Sequence, residues 1–335
     1  MSEVTQRPSP DRLLVDIADY VADYQVGNDL ACETAFFCLV DSLACAFQAL
    51  RHPACARFLG PVVPGATMAG GARVPGTSYE LDPVQGAFNL GAMIRWLDAN
   101  DPGLAAGPCH PSDSLGGILA VADYLARQAI AEGTSPLTVR DVLLALVKAH
   151  EIQATIASAC ACDPVGLDGT ILVRLATAAV VTPMLGGTRQ QVIGALSNAW
   201  LDGGALGTYL RVPDPGARKS WAAGDATSRG VRLALLAIAG DAGCPSAMSA
   251  KGSGLCDVLS GGRPLALPRA LASQMMESLQ FRDAEAVRAL LQKFESSVAA
   301  HFPAGQAAKI GALVADRART EAMPIHQFVA VIVKN

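Results

Sequence analysis

The chain is poor in aromatic residues, at 5%, and in charge, at 17% Asp, Glu, Lys and Arg. A nucleic-acid binder needs stacking rings and a phosphate-neutralising surface. Here no basic run occurs and the formal net charge is −4, so no nucleic-acid partner is expected. No uninterrupted apolar run reaches the roughly 18 residues that span a bilayer, so no membrane partner is expected either. The opening MSEVTQRPSPDR lacks both an apolar stretch and a small-residue cleavage site, so the expectation is a cytosolic protein. Alternating strand patterns are nearly absent, and no internal repeat stands out. The nine cysteines are scattered, and an odd count without export argues against a disulfide framework. Cys160-Ala161-Cys162 and Cys109-His110 match no common zinc spacing, so no metal is expected.

Apolar residues, by contrast, make up 51% of the 335 positions, and the mean hydropathy is +0.32. A chain this apolar buries most of its helices and covers further surface with another subunit or domain. The dominant period is helical. Leu13, Leu14, Ile17, Tyr20 and Val21 form one stripe, and 30–50 is apolar nearly all round and therefore central. Residues 59–81 read as an ordered, Gly- and Pro-rich crossing. Asp82-Pro83 opens a helix to Leu97, and another runs from about Ser112 to Ala131. Thr138 to Asp141 and Thr188 to Gln191 are capping boxes for two more. A helix covers 222–240, and amphipathic helices follow Asp283, one ending near His301-Phe302-Pro303 and the last starting at Pro324. The expected fold is an all-α, multi-helix bundle, with 243–280 as its one glycine-rich joint.

The segment Arg95–Gly117 gathers Arg95, Asp98, Asn100, Asp101 and His110 between two apolar helices, where helix ends can build a site. Proton-transfer chemistry on a carboxylate-bearing substrate takes a positioned base, a positioned acid and fixed positive charge. The unperturbed pKa of an imidazole lies near neutrality, which makes His110 the first acid–base candidate. Asp98 could orient or charge-tune that imidazole, act as the base itself, or merely pair with Arg95. Arg211 and Arg218 could fork onto carboxylates, and Lys219 could act as a point charge. Ser112 stands at a helix start, where backbone N–H groups favour an anion. Plainer readings stand beside these: His110 as a cap or core residue, Arg218-Lys219 as a solvated pair, and His150 as structural. Asp98, His110 and Lys219 are therefore the candidate catalytic residues. Arg95, Asn100, Asp101, Ser112, Arg211 and Arg218 are the candidate substrate-binding ones.

Several strings carry a resemblance: Leu81 to Asn89, Ala92 to Asp98, His110 to Asp113 with Gly116 to Leu119, Lys148 to Gln153, and Arg218 to Arg229 (RKSWAAGDATSR). They run in order over residues 10 to about 280, and together they resemble the MmgE/PrpD family. The resemblance implies a helical first domain that dimerises, here expected to give a homodimer. It also implies elimination of water, without a cofactor, from a tricarboxylate tertiary alcohol of the 2-methylcitrate kind. A sister branch decarboxylates cis-aconitate. Three departures stand out. Pro102 follows Asn100-Asp101 where the family has threonine, and Gly169 follows Asp168 where its dehydratases have histidine. The match also passes from about Met276-Glu277 and Phe281-Arg282 straight to Asp283, omitting an α+β domain. The expected organisation is therefore a main helical part, 1–282, with C-terminal helices, 283–335, packing back on it. One positioned acid or base is worth about 10²–10⁴ in rate. The losses together imply a dehydratase-like hydro-lyase that is weak or inactive as this chain alone. The alternatives are a catalytically dead helical dimerisation partner and a decarboxylase of the sister type.

Overall fold

The structure is a computed structural model that describes residues 8–100, 110–159, 166–202, 204, 206–213, 216–267, 269–272 and 283–334. Its helices are α1 (Arg12–Asp23), α2 (Asp29–Ala49), α3 (Pro53–Ala56), α4 (Pro83–Arg95), α5 (Leu115–Glu132), α6 (Val139–Ala159) and α7 (Thr170–Met184). They continue with α8 (Arg189–Leu201), α9 (Arg218–Ile238), α10 (Leu255–Ser260), α11 (Ala284–His301), α12 (Ala304–Ala315), α13 (Arg317–Glu321) and α14 (Ile325–Ile332). Among the described residues the only strands are β1 (Ala72–Arg73) and β2 (Glu80–Leu81), an antiparallel pair inside the 59–81 crossing. The fold is all-α.

Local chemistry explains the boundaries. Asp82 accepts from the N–H groups of Val84 and Gln85, both at 3.0 Å, and Pro83 follows at the first helical position. At α8 the Thr188 and Gln191 side chains cap each other's backbone N–H groups reciprocally. α4 stops at Arg95, short of Leu97, because the chain turns sharply behind it. A 3₁₀ turn over Pro111–Ser114 precedes α5, where the sequence points to one continuous helix from Ser112. Within the glycine-rich zone after 243, the described residues are tied down: Asp11 Oδ2 accepts from Met248 N–H (2.8 Å) and Ser197 Oγ from Cys244 N–H (3.0 Å).

α2 sits at the centre, with α4, α6 and α11 packed around it. By length and composition α2 and α6 could cross a membrane, yet 83% and 72% of their apolar windows are buried inside the protein. They are core helices. The C-terminal segment enters the same core: fully buried Phe47 of α2 meets Phe294 and, edge-on at 5.0 Å, Phe302. Each such ring is worth about 1.5–3 kcal/mol when removed from water. Gly76 N–H donates to Ile332 O (2.7 Å) and Lys334 N–H to Thr77 O (2.9 Å), lacing the chain's end to the crossing.

The seam between α4 and α9 matters most for the site. A Cβ on Gly224 would lie 2.5 Å from the Phe88 carbonyl oxygen, and one on Gly91 would lie 2.8 Å from Gly224 Cα. Only glycine lets the two backbones approach this closely. Thr227 of α9 then accepts from Gly117 N–H at 3.0 Å, which sets α5 against the same seam. The C-terminal end of α4, the start of α9 and the turn before α5 thus converge at one point.

Candidate active site

Arg95 ends α4, and three residues later Asp98 adopts a left-handed backbone conformation, φ +55°. Asp tolerates this region better than most residues, and such outliers mark functional positions. The turn aims the Asp98 carboxylate back at its surroundings. One oxygen pairs with Arg95 and lies 3.8 Å from His110 Nε2. The other accepts from Lys219 Nζ at 2.7 Å. Arg95 also faces Asp113, its Nε 3.8 Å from Oδ2. Beneath them Asn100 Nδ2 donates to Ser112 Oγ (2.9 Å) and Asp113 Oδ1 (3.0 Å), which fixes the turn carrying His110. Ser220 donates to Trp96 O at 3.1 Å and anchors the start of α9 to the end of α4.

The opposite wall is built from two loops. Gly207 N–H donates to Gly166 O (2.8 Å), and Leu167 and Leu206 form an isolated bridge. Tyr209 donates its hydroxyl to Asp168 Oδ2 at 2.5 Å, while Asp168 Oδ1 accepts from Thr170 N–H at 2.7 Å. Arg218 lies over the rings of Tyr209 and Trp221, 5.3 and 4.7 Å from their centroids, as a stacked cation. Between the walls lies a cavity of about 300 Å³. Arg95, His110, Arg211 and Lys219 face it from the group read out of the sequence, and so does Gly169.

The remaining candidates stand behind that surface. Asp98 reaches the cavity through Lys219, and Arg218 backs Tyr209. Asn100 and Ser112 are buried beneath the floor, where they brace it. Asp101 and Pro102 lie outside the described residues, as do Cys109, Cys160, Cys162 and the 273–282 junction. Among the described residues no three of His, Cys, Asp and Glu gather to hold a metal ion. Sequence reasoning passed over Asp113, Asp168, Thr170 and Tyr209 as site residues. Asp168 carried a weak signal, since Asp-Gly-Thr is a capping pattern; Tyr209 carried none.

Electrostatics couples these groups. Burial works against the Asp98 charge, but the Lys219 hydrogen bond, Arg95 and His110 outweigh it and hold the carboxyl below its ordinary range. Burial, reinforced by Asp168, pushes the Tyr209 phenol up, so it stays a donor. A depressed carboxyl stabilises the fold above its unfolded pKa, and that contribution disappears as pH falls through the folded value. Asp98→Asn is therefore expected to flatten the acid limb of a stability-versus-pH curve below about pH 4, where model carboxyls titrate. Urea melts across that range would show it; an unchanged acid limb would mean that Asp98 is not held by these cations.

An all-helical domain with a small polar cleft at the convergence of helix ends is the class that fold and site define. The MmgE/PrpD N-terminal domain matches residues 15–268, and the chain belongs to the MmgE/PrpD family. It is 55% identical over 274 residues to a 2-methylcitrate dehydratase of Cupriavidus necator, covering 82% of this chain and 57% of that protein. With the 2-methylcitrate dehydratase of Salmonella typhimurium it shares 50% over 316 residues, 92% of this chain and 65% of that one. The mitochondrial 2-methylcitrate dehydratase of Yarrowia lipolytica is 50% identical over 278 residues, 82% and 53% of the two chains. The chain thus spans between half and two thirds of the length of these relatives.

Proposed function

We propose that this chain carries half of a cofactor-free hydro-lyase site that eliminates water from a tricarboxylate tertiary alcohol of the 2-methylcitrate type. The observation that carries the reading is the cavity faced by His110, Lys219, Arg95 and Arg211, with Asp98 bridging Arg95 and Lys219. His110 takes the proton from the carbon beside a carboxylate. Lys219, paired with Asp98, gives a proton to the departing hydroxide. Arg211 and Arg95 hold substrate carboxylates, and Tyr209, its hydroxyl donated to Asp168, lines the facing wall. The names of the similar proteins support the substrate class.

Charge balance argues that the chain alone turns over slowly. Around the cleft, Arg95, Arg211, Lys219 and, behind Tyr209, Arg218 face Asp98, Asp113 and Asp168 among the described residues, a surplus of one positive charge. A trianionic substrate therefore meets little surplus positive charge. Gly169, where the family's dehydratases carry histidine, leaves a stretch of wall without an acid–base group. Leu206 and Leu210, 67% and 44% exposed, stand open at the rim. An uncovered cleft stays wet, and water weakens the charge interactions an anionic intermediate needs. An α+β domain omitted between 282 and 283, and a homodimer through the helical face, belong to the same proposal.

The test follows loss of 2-methylcitrate with purified chain, beside titration calorimetry of the substrate. Binding with turnover far below that of a full-length relative is the expected result. Turnover equal to the relative's would remove the half-site argument, and neither binding nor turnover would remove the substrate class. Sedimentation of the chain as a monomer would dispose of the homodimer.

A further inference from the structure

Away from the cleft, Lys293 of α11 reaches across to α2. Its Nζ donates to Asp41 Oδ1 at 2.8 Å and contacts Cys45 Sγ at 3.0 Å. Asp41 and Cys45 lie one helical turn apart, so both face the same lysine. The third contact is to the carbonyl oxygen of Ala99, at 2.9 Å, between Asp98 and Asn100. An ion pair with Asp41 alone would account for a half-buried lysine; it does not call for a thiol at contact distance. Cys45 is fully buried, while the Lys293 side chain is 24% exposed, which gives a small oxidant a way in from the lysine end.

We propose that Cys45 and Lys293 are a modification site that oxidation closes into an Sγ–O–Nζ cross-link. A separation of 3.0 Å is one that a single bridging oxygen spans with little movement. A direct S–N bond would require the two side chains to close much further. The thiolate is the reactive form of a cysteine. Hydrogen peroxide is the co-reactant. The thiolate attacks one peroxide oxygen, the O–O bond breaks, and the departing hydroxide takes a proton from Lys293, leaving a sulfenic acid and an amine. A second peroxide accepts two electrons as the N–O bond forms between the amine and the sulfenic oxygen. Nitrogen and oxygen each give up a proton, and every peroxide oxygen except the one retained leaves as water. Burial disfavours the Lys293 charge, yet Cys45 and Asp41 outweigh it and hold its pKa above the ordinary lysine range.

The link would pin the C-terminal helix α11 to α2 and to the backbone that presents Asp98. Residues 248 apart would be joined, so the oxidised chain is expected to melt at a higher temperature than the reduced one.

Peptide mapping of the full chain after peroxide treatment tests this. The expected product joins the α2 and α11 peptides, with the mass of one added oxygen less two hydrogens, and dithiothreitol removes it. Cys45→Ser and Lys293→Arg should both lose it, the arginine variant keeping its charge beside Asp41. Added oxygen on the Cys45 peptide alone, a disulfide to another cysteine, or the same product in Lys293→Arg would overturn the proposal. The map of the unsubstituted chain locates the link by itself, so a variant that fails to fold does not blunt the test.

Discussion

His110→Ala is expected to lower single-turnover loss of 2-methylcitrate by about 10²–10⁴-fold relative to the unsubstituted chain. The imidazole faces the cavity with Nε2 3.8 Å from Asp98 Oδ1, so proton transfer and charge coupling meet at one ring. Substrate affinity should change little, because Arg211 and Lys219 remain. A loss confined to the rate with unchanged binding is the signature of a group used only in the transition state. The informative measurement is rapid-quench turnover with enzyme in excess, beside calorimetric binding. A rate within about threefold of the parent would take His110 out of the proton transfer. An equal loss of binding would make it a substrate-holding group.

Gly224→Ala should produce a large loss of stability. The new methyl would meet the Phe88 carbonyl oxygen at 2.5 Å and the Ala92 nitrogen at 2.7 Å. Both are backbone atoms and cannot swing aside, so α4 and α9 must separate. Overpacking of this kind costs about 1–3 kcal/mol, and the upper end is expected where only backbone can give. The substitution also moves Arg95 and Lys219 apart, since one ends α4 and the other begins α9. Turnover should therefore fall even below the melting temperature. Gly311→Ala in α12 is the control, because nothing lies within 4 Å of its Cβ position. Helix propensity alone predicts that this change stabilises by up to about 1 kcal/mol. Urea melts of the two variants decide the matter: if they agree, the seam is not tightly packed.

Much of the helical framework was legible because its signals are local. Asp82-Pro83 and Thr188 to Gln191 announce helix starts within four residues, and the all-round apolarity of 30–50 announces a central helix. The buried state of His150, 2% exposed, likewise agrees with its reading as structural. The seam was not legible. Gly91 and Gly224 read as weak points in helices, and their value exists only once another backbone lies against them. The site divides the same way. Arg95 and Asp98 are neighbours in sequence, and their pairing was one of the readings open from spacing. The Lys219–Asp98 contact joins residues 121 apart, and only family resemblance brought them to one place. Tyr209 and Asp168 meet across 41 residues through loops with no periodic signal, so that wall became visible only in three dimensions.

The left-handed turn at Asp98 has one more consequence. The main chain sets the direction in which its side chain leaves the backbone, and the pairs with Arg95 and Lys219 hold the carboxylate there. A glutamate there would preserve the charge and lose the aim; an asparagine would preserve the aim and lose the charge. Exchanging the two residues in turn would therefore separate direction from sign at a single position, something few ion pairs allow.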